Sequence, residues 1–99
     1  MITYKKNNFW SWDLPTRRKL RDCSYRGNGH MCECVSRESK VSKENQNTIV
    51  AFDGEQIVGW ALHTGTEFHV YVKTDYRKRG IGTTLKQKAL KHYGSSIYE

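Results

Sequence analysis

Three short runs in the second half of the chain alternate between apolar and polar residues. They cover residues 47–53, 56–63 and 67–72 and are rich in the Val, Ile, Phe and Trp that strands favour. Asp53-Gly54-Glu55 separates the first two runs, and Asp-Gly between apolar runs is a hairpin signal. A second turn at Thr64-Gly65 precedes the third run. The pattern therefore predicts a three-stranded antiparallel meander.

After Gly80 the spacing of apolar residues changes from two to four. Ile81, Leu85 and Ala89 recur at this spacing, with Lys and Gln between them. Side chains four apart lie on one face of a helix. The sequence therefore predicts an amphipathic helix over 80–92.

The remaining segments are predicted with fewer signals. Ile2 to Lys6 is expected to be a first strand, and 95–98 a last one. Asp13 before Leu14-Pro15 is typical of a helix start, which predicts a helix over 14–23. Residues 24–46 contain few aliphatic residues and are predicted to be a long loop, with a composition that favours mobility. Two helices and a mainly antiparallel sheet give an α+β protein.

The composition is that of one small basic domain. The chain has 99 residues, 36% of them hydrophobic, and 17 Lys and Arg against 10 Asp and Glu give a net charge of +7. A chain of this length forms a single domain, here 1–99. No apolar run approaches the roughly 20 residues that span a bilayer, and no signal peptide is recognisable, so we expect a cytoplasmic protein without a membrane partner. The charge favours an acidic partner, or simply keeps the protein in solution.

Four side chains that could bind zinc lie close together in the sequence: Cys23, His30, Cys32 and Cys34. Thiolate and imidazole groups suit tetrahedral zinc, but Cys-x-Cys with a histidine two residues earlier is not a common zinc-finger spacing. An odd number of cysteines also argues against a secreted disulfide framework. We expect reduced thiols and no metal, with zinc as the alternative.

A basic segment with two glycines lies between the third strand of the meander and the helix, from Asp75 to Thr83. A turn of this kind that opens a helix directs several backbone N–H groups at one point, where the helix dipole favours negative charge. Gly80 and Gly82 let a phosphate approach the backbone closely, and Lys78 and Arg79 add positive charge. The segment predicts an anion site that fits a diphosphate, or else an ordinary turn with solvated charges.

Within this segment, residues 77–82 read Arg-Lys-Arg-Gly-Ile-Gly. They resemble the Arg/Gln-x-x-Gly-x-Gly/Ala acetyl-CoA signature of the GNAT (Gcn5-related N-acetyltransferase) superfamily. Residues 49–61 are similar to that family's second and third strands, and strands, signature and helix follow in the family's order up to Tyr98. The resemblance implies one GNAT-like domain with an α+β fold, in which 47–98 is the half that binds acetyl-CoA.

The resemblance also implies which residues hold the cosubstrate. In the family, amides of the signature loop bind the pyrophosphate of acetyl-CoA, and the preceding strand pairs through its backbone with the pantetheine arm. Carried over to this chain, the strand residues are Val70 and Val72, and the loop residues are Arg77, Lys78, Arg79, Gly80, Ile81, Gly82 and Thr83.

The catalytic groups that the resemblance implies match less well. A typical family domain continues past its fifth strand and carries its acid, a tyrosine, there, whereas this chain stops at Glu99, as in a short member truncated at its C-terminus. Tyr93 and Tyr98 lie near the expected gap, and we name Tyr98 as the acid. Glu67 is the candidate base, although it is one residue out of step with the family position, which Thr66 occupies. A water chain, or a residue of a partner chain, is the alternative.

The resemblance thus implies an acetyl-CoA-dependent N-acetyltransferase in which an amine attacks the thioester directly. With little material for a deep pocket, we expect a macromolecular acceptor: a protein lysine or N-terminus, or RNA. The alternatives are a binding module of the same fold without catalysis, acting on a protein or nucleic acid, and a basic nucleic-acid-binding protein. A homodimer is expected, because an exposed edge strand favours pairing with a second copy.

Overall fold

The computed structural model describes residues 1–25, 42–65 and 68–93. Short 3₁₀ turns lie at Phe9–Ser11, Lys43–Asn45 and Thr74–Tyr76. The regular elements are β1 (Ile2–Asn8), α1 (Leu14–Tyr25), β2 (Asn47–Asp53), β3 (Gln56–His63), β4 (Phe68–Val72) and α2 (Ile81–Tyr93).

The strands form one antiparallel sheet in the order β1-β2-β3-β4. This confirms the α+β class, the predicted meander and a first strand beside it. Helix and strand ends differ from the predicted ones by one or two residues. The predicted loop over 24–46 is helical at its first two residues and has a 3₁₀ turn at Lys43–Asn45, while 26–41 and the predicted strand 95–98 lie outside the described residues.

A bulge in β3 sets which side chains face which side of the sheet. Ala51 pairs with Gly59, but the next residue, Phe52, pairs with Ile57, so Val58 is the extra residue. Val58 and an added Cβ on Gly59 both face α2, since the latter would lie 3.2 Å from Leu85 Cδ1. The bulge therefore reverses the alternation of every later residue in β3.

Each face of the sheet carries its own apolar core. On the α1 side, Leu20 packs with Phe9, Val50, Ile57, Trp60 and Leu62, all buried. On the α2 side, the helical stripe that the sequence predicted packs against the other faces of β2 and β3; its buried members are Ile49, Ala51, Val58, Ala61, Ile81, Leu85 and Ala89. A single sheet is thus covered by one helix on each side.

The start of α1 has the expected cap. The Thr16 N–H donates to Asp13 Oδ1 at 2.9 Å, and the Arg17 N–H donates to the Asp13 carbonyl at 3.0 Å. The hydrogen bonds from Thr16, above all, hold the pKa of Asp13 below its usual value. The aromatic residues before α1 are fixed to the sheet, with Trp10 Nε1 donating to Gln46 Oε1 and Trp12 Nε1 to Thr48 Oγ1, both at 2.8 Å.

Neither α1 nor α2 combines the length and the apolar character that crossing a bilayer requires.

Candidate functional site

The loop between β4 and α2 has an unusual backbone. Lys78 has a φ of 64° and Gly80 a φ of 80°, both in the left-handed region. Alternation of right- and left-handed residues turns successive N–H groups toward one side of a loop and forms a concave anion-binding nest. Glycine enters this region without strain, whereas lysine does so at a cost in free energy.

The loop ends at the N-terminus of α2, where backbone donors are available. The first hydrogen bonds of the helix are those of Thr84, whose N–H and hydroxyl reach the Gly80 carbonyl at 3.0 and 2.9 Å. The N–H groups of Ile81, Gly82 and Thr83 precede them and have no partner within a helical turn. These donors and the helix dipole favour a negatively charged ligand at this end of α2.

A cavity of about 450 Å³ opens between this helix end and β4. Its lining includes every residue predicted to hold acetyl-CoA except Arg79, and it adds Tyr71 and Tyr76. The structure therefore brings strand, loop and helix residues that are up to thirteen positions apart into one concave surface. Arg79 lies beside it, with its guanidinium carbon 5.0 Å from the centre of the Tyr76 ring.

The backbone of β4 presents its groups to the cavity at alternate residues. The Lys73 N–H donates to the Val58 carbonyl of β3 at 2.8 Å, so the backbone groups of the preceding residue, Val72, point away from β3. The same alternation turns those of Val70 away from β3. Among the described strands, β4 pairs with β3 alone. Val70 and Val72 are therefore the residues through which an extended chain would pair with this edge.

Arg77 crosses that edge. Its Nε–H donates to the Val72 carbonyl at 2.9 Å, and its guanidinium carbon lies 6.0 Å from the centre of the Tyr71 ring. Tyr71 in turn stacks on the buried Trp60, with ring centres 5.9 Å apart. The side chain of Arg77 thus lies against β4 although the residue itself is exposed.

Tyr76 forms a wall of the cavity and is tied to the other end of the sheet. Its hydroxyl donates to Asp53 Oδ2 at 2.8 Å, and Asp53 Oδ1 lies 3.7 Å from the N-terminal ammonium group. The hydrogen bond to Asp53, followed by desolvation, raises the pKa of Tyr76. The ring is therefore held in place from the β2–β3 turn, and it supports Arg79.

The glycines of this region serve close packing as well as loop geometry. A Cβ on Gly59 would lie 2.9 Å from the Tyr71 carbonyl, so β3 and β4 approach each other only because this residue lacks a side chain. A Cβ on Gly82 would lie 3.6 Å from Val72 Cγ2, which is an ordinary contact. Position 82 therefore has room for alanine.

The predicted catalytic and metal-binding residues are not among those brought together here. Thr66, Glu67 and Tyr98 lie outside the described residues, as do His30, Cys32 and Cys34. Within the described ranges, no group of three or more His, Cys, Asp or Glu side chains is placed to hold a metal ion. Tyr93, the other tyrosine near the expected gap, has a structural role, because its hydroxyl donates to the Thr48 carbonyl at 2.8 Å.

Sequence reasoning missed Tyr71, Tyr76 and Asp53. The position of Tyr71 between two predicted site residues, and of Tyr76 directly before Arg77, were signals that could have drawn attention to both. Asp53 was interpreted only as a turn residue, and nothing local connects it with Tyr76, which lies 23 positions later.

Comparison with known proteins gives a consistent family and fold. The model of the Acetyltransferase (GNAT) family matches residues 7–97. A GNAT-family acetyltransferase from Streptococcus pneumoniae TIGR4 superposes with a TM-score of 0.66 over 92% of this chain and 67% of that protein, at 21% identity. An aminoglycoside acetyltransferase from an uncultured soil metagenomic sample, solved with trehalose, gives a TM-score of 0.63 over 93% and 69%, at 15% identity. No curated protein matches significantly in sequence.

Proposed function

The chain belongs to the GNAT acetyltransferase family, and from this premise we propose that it binds acetyl-CoA and transfers the acetyl group to an amine. The observation that carries the proposal is the cavity between the edge of β4 and the N-terminus of α2. It combines a strand edge for an extended arm with a nest of amides and cations for a diphosphate. No small neutral ligand requires both features.

In the proposed complex, the diphosphate lies at the amides of the signature loop and of the first turn of α2. Lys78 and Arg79 supply positive charge beside it. The pantetheine arm extends along β4 and exchanges hydrogen bonds with Val70 and Val72, as an added strand does. Gly80 keeps the left-handed φ of 80° that the turn into α2 needs.

The proposed chemistry is direct attack of a neutral amine on the thioester carbon. The C–N bond forms, the C–S bond breaks, and the amine's proton leaves by way of a base while the thiolate of CoA receives a proton from an acid. Binding both reactants in one orientation supplies much of the rate. Glu67 as base and Tyr98 as acid remain predictions for this chain, with a water chain or a partner residue as alternatives.

A macromolecular acceptor is the second part of the proposal. The net charge of +7 favours an acidic macromolecule, either a protein whose lysine or N-terminus accepts the acetyl group, or RNA. Cations concentrate around Trp10 on the α1 side: Lys43 Nζ lies 4.9 Å and the Arg17 guanidinium carbon 5.3 Å from the ring centre. Such a surface attracts carboxylates or phosphates at a distance from the cavity.

Calorimetric titration with acetyl-CoA tests the binding step. Gly80→Ala and Gly54→Ala form a matched pair, since both positions have a positive φ and open space where a Cβ would lie. Both variants should lose a similar amount of stability, about 1–2 kcal/mol. Only Gly80→Ala should weaken acetyl-CoA binding, by about tenfold, the equivalent of one lost hydrogen bond to a charged group. Equal affinities in the two variants would contradict this placement of the cosubstrate.

Incubation of the protein with radiolabelled acetyl-CoA and a cell lysate tests transfer. We expect label in protein or RNA. Label confined to small molecules would overturn the proposed acceptor class, and tight binding of acetyl-CoA without any transfer would instead support a non-catalytic binding module.

A further inference from the structure

Arg77 occupies a group that the proposed cosubstrate needs. The inference in this section rests on the proposed function. The Val72 carbonyl points away from β3 toward the cavity, yet it already accepts a hydrogen bond from Arg77 Nε at 2.9 Å. A pantetheine amide that pairs with this edge would have to donate to the same carbonyl.

The loop geometry keeps Arg77 in this place. The 3₁₀ turn at Thr74–Tyr76 reverses the chain after β4, and the Arg77 N–H closes it by donating to the Thr74 carbonyl at 3.3 Å. This turn returns the Arg77 side chain to the strand that it has just left. Its guanidinium then lies near the Tyr71 ring, on the face of the sheet opposite to α2.

We propose that Arg77 determines which thioesters the site accepts, by exchanging the Val72 carbonyl for the diphosphate of the cosubstrate. A thioester that carries a diphosphate displaces Arg77 from the strand and offers the freed guanidinium two phosphate groups, which form stronger, charge-assisted hydrogen bonds. A thioester of pantetheine alone breaks the same hydrogen bond and offers nothing in return. The exchange therefore selects CoA thioesters over short pantetheine thioesters.

The test separates the two halves of the cosubstrate. Acetyl-CoA, ADP and S-acetylpantetheine are titrated separately into wild type and Arg77→Ala, with binding followed by NMR shifts, which reach millimolar affinities. Arg77→Ala should bind ADP about fivefold more weakly and S-acetylpantetheine about fivefold more tightly, as expected for one hydrogen bond lost and one carbonyl released. A residue that only adds charge would lower the first affinity and leave the second unchanged.

Arg79→Ala is the matched control, because it removes the same charge from the same loop but lies over Tyr76 and has no bond to Val72. It should weaken ADP binding without changing the affinity for S-acetylpantetheine. Arg77→Met, which keeps the aliphatic stem, should repeat the opposite shifts of Arg77→Ala and guards against a folding defect in one variant.

Two results would contradict the proposals in different ways. If wild type binds acetyl-CoA but Arg77→Ala and Arg77→Met leave the affinity for S-acetylpantetheine unchanged or lower it, the exchange is wrong and the proposed function stands. If folded wild type binds none of the three ligands, the proposed function is wrong and the exchange with it.

Discussion

Lys78 holds a left-handed backbone, with a φ of 64°, two residues before the left-handed Gly80. For an L-residue this conformation costs roughly 1–2 kcal/mol relative to glycine. The loop keeps the strained residue at the point where N–H groups converge on the cavity. Strain of this kind is typical of ligand-binding loops, whose surroundings fix the backbone.

Lys78→Gly should therefore stabilise the protein. The relief of strain exceeds the extra backbone entropy that glycine has when unfolded, which leaves a net gain of about 0.5–1 kcal/mol in the free energy of unfolding. Urea denaturation measures it. Lys78→Ala is the control, because it removes the same charge and keeps the strain, and it should show no such gain. Equal stabilities of the two variants would mean that the loop relaxes without strain.

Gly59 and Gly82 predict opposite effects of the same substitution. Gly59→Ala places a Cβ 2.9 Å from the Tyr71 carbonyl and should destabilise the protein by about 1–3 kcal/mol, as overpacking does. Gly82→Ala makes ordinary contacts in the first turn of α2 and should be neutral, or stabilising by up to about 1 kcal/mol. Thermal melts of both variants provide the measurement, and a loss of stability in Gly82→Ala would contradict the packing described for α2.

At the scale of elements, α2 is attached to the sheet at both ends. Its first turn packs on the valines of β4, and at its last residue the Tyr93 hydroxyl donates to the Thr48 carbonyl and lies 3.5 Å from the Asn7 carbonyl. Burial raises the pKa of Tyr93 to about 12, well above the 10.0 of a free tyrosine. The end of α2 far from the cavity thus depends on a protonated phenol.

Tyr93→Phe should lower the free energy of unfolding near neutral pH by about 1 kcal/mol, the usual loss for one hydrogen bond. The folded state holds the phenol proton more tightly than the unfolded state does. The contribution of Tyr93 is therefore complete below pH 10 and is lost as the pH rises from 10 to about 12.

Denaturation curves between pH 8 and about 12 compare wild type, Tyr93→Phe and Tyr4→Phe. The difference between wild type and Tyr93→Phe should shrink over this range, whereas Tyr4→Phe, on the same face of the sheet, should keep the alkaline profile of wild type. A difference that stays constant with pH would show that the Tyr93 phenol does not titrate differently on folding.

The sequence predicted those elements whose signals are local. Ile81, Leu85 and Ala89 specify a helix within nine residues, and Asp53-Gly54 specifies a hairpin within two. The same approach could not predict the Val58 bulge, because it follows from the packing of β3 against β2 and α2 together. It also could not predict the bond between Tyr76 and Asp53, since neither residue carries a pattern that refers to the other.

The whole molecule divides its stability between two cores that share one sheet. Leu20 on the α1 side and Leu85 on the α2 side are both fully buried. Only Leu85 belongs to the helix whose N-terminus opens on the cavity. Damage to either core should cost similar stability, but only damage on the α2 side should disturb ligand binding.

Leu20→Ala and Leu85→Ala should each cost about 2–5 kcal/mol, the range for a leucine removed from a core. At a temperature where both variants remain folded, Leu85→Ala should bind acetyl-CoA more weakly than wild type, and Leu20→Ala should bind it as wild type does. Melting temperatures with and without acetyl-CoA report both quantities. A loss of affinity in Leu20→Ala would show that the two cores are coupled through the sheet.

The bulge in β3 constrains how the length of this chain can change. Removal of one residue between Ile57 and Trp60 would exchange the faces of all later positions in the strand, so that Trp60 and Leu62 would face α2 and Ala61 would face α1. Neither helix could pack on such a surface. Among descendants of this sequence, single-residue insertions and deletions should therefore be absent from β3 and tolerated at the hairpin turn that precedes it.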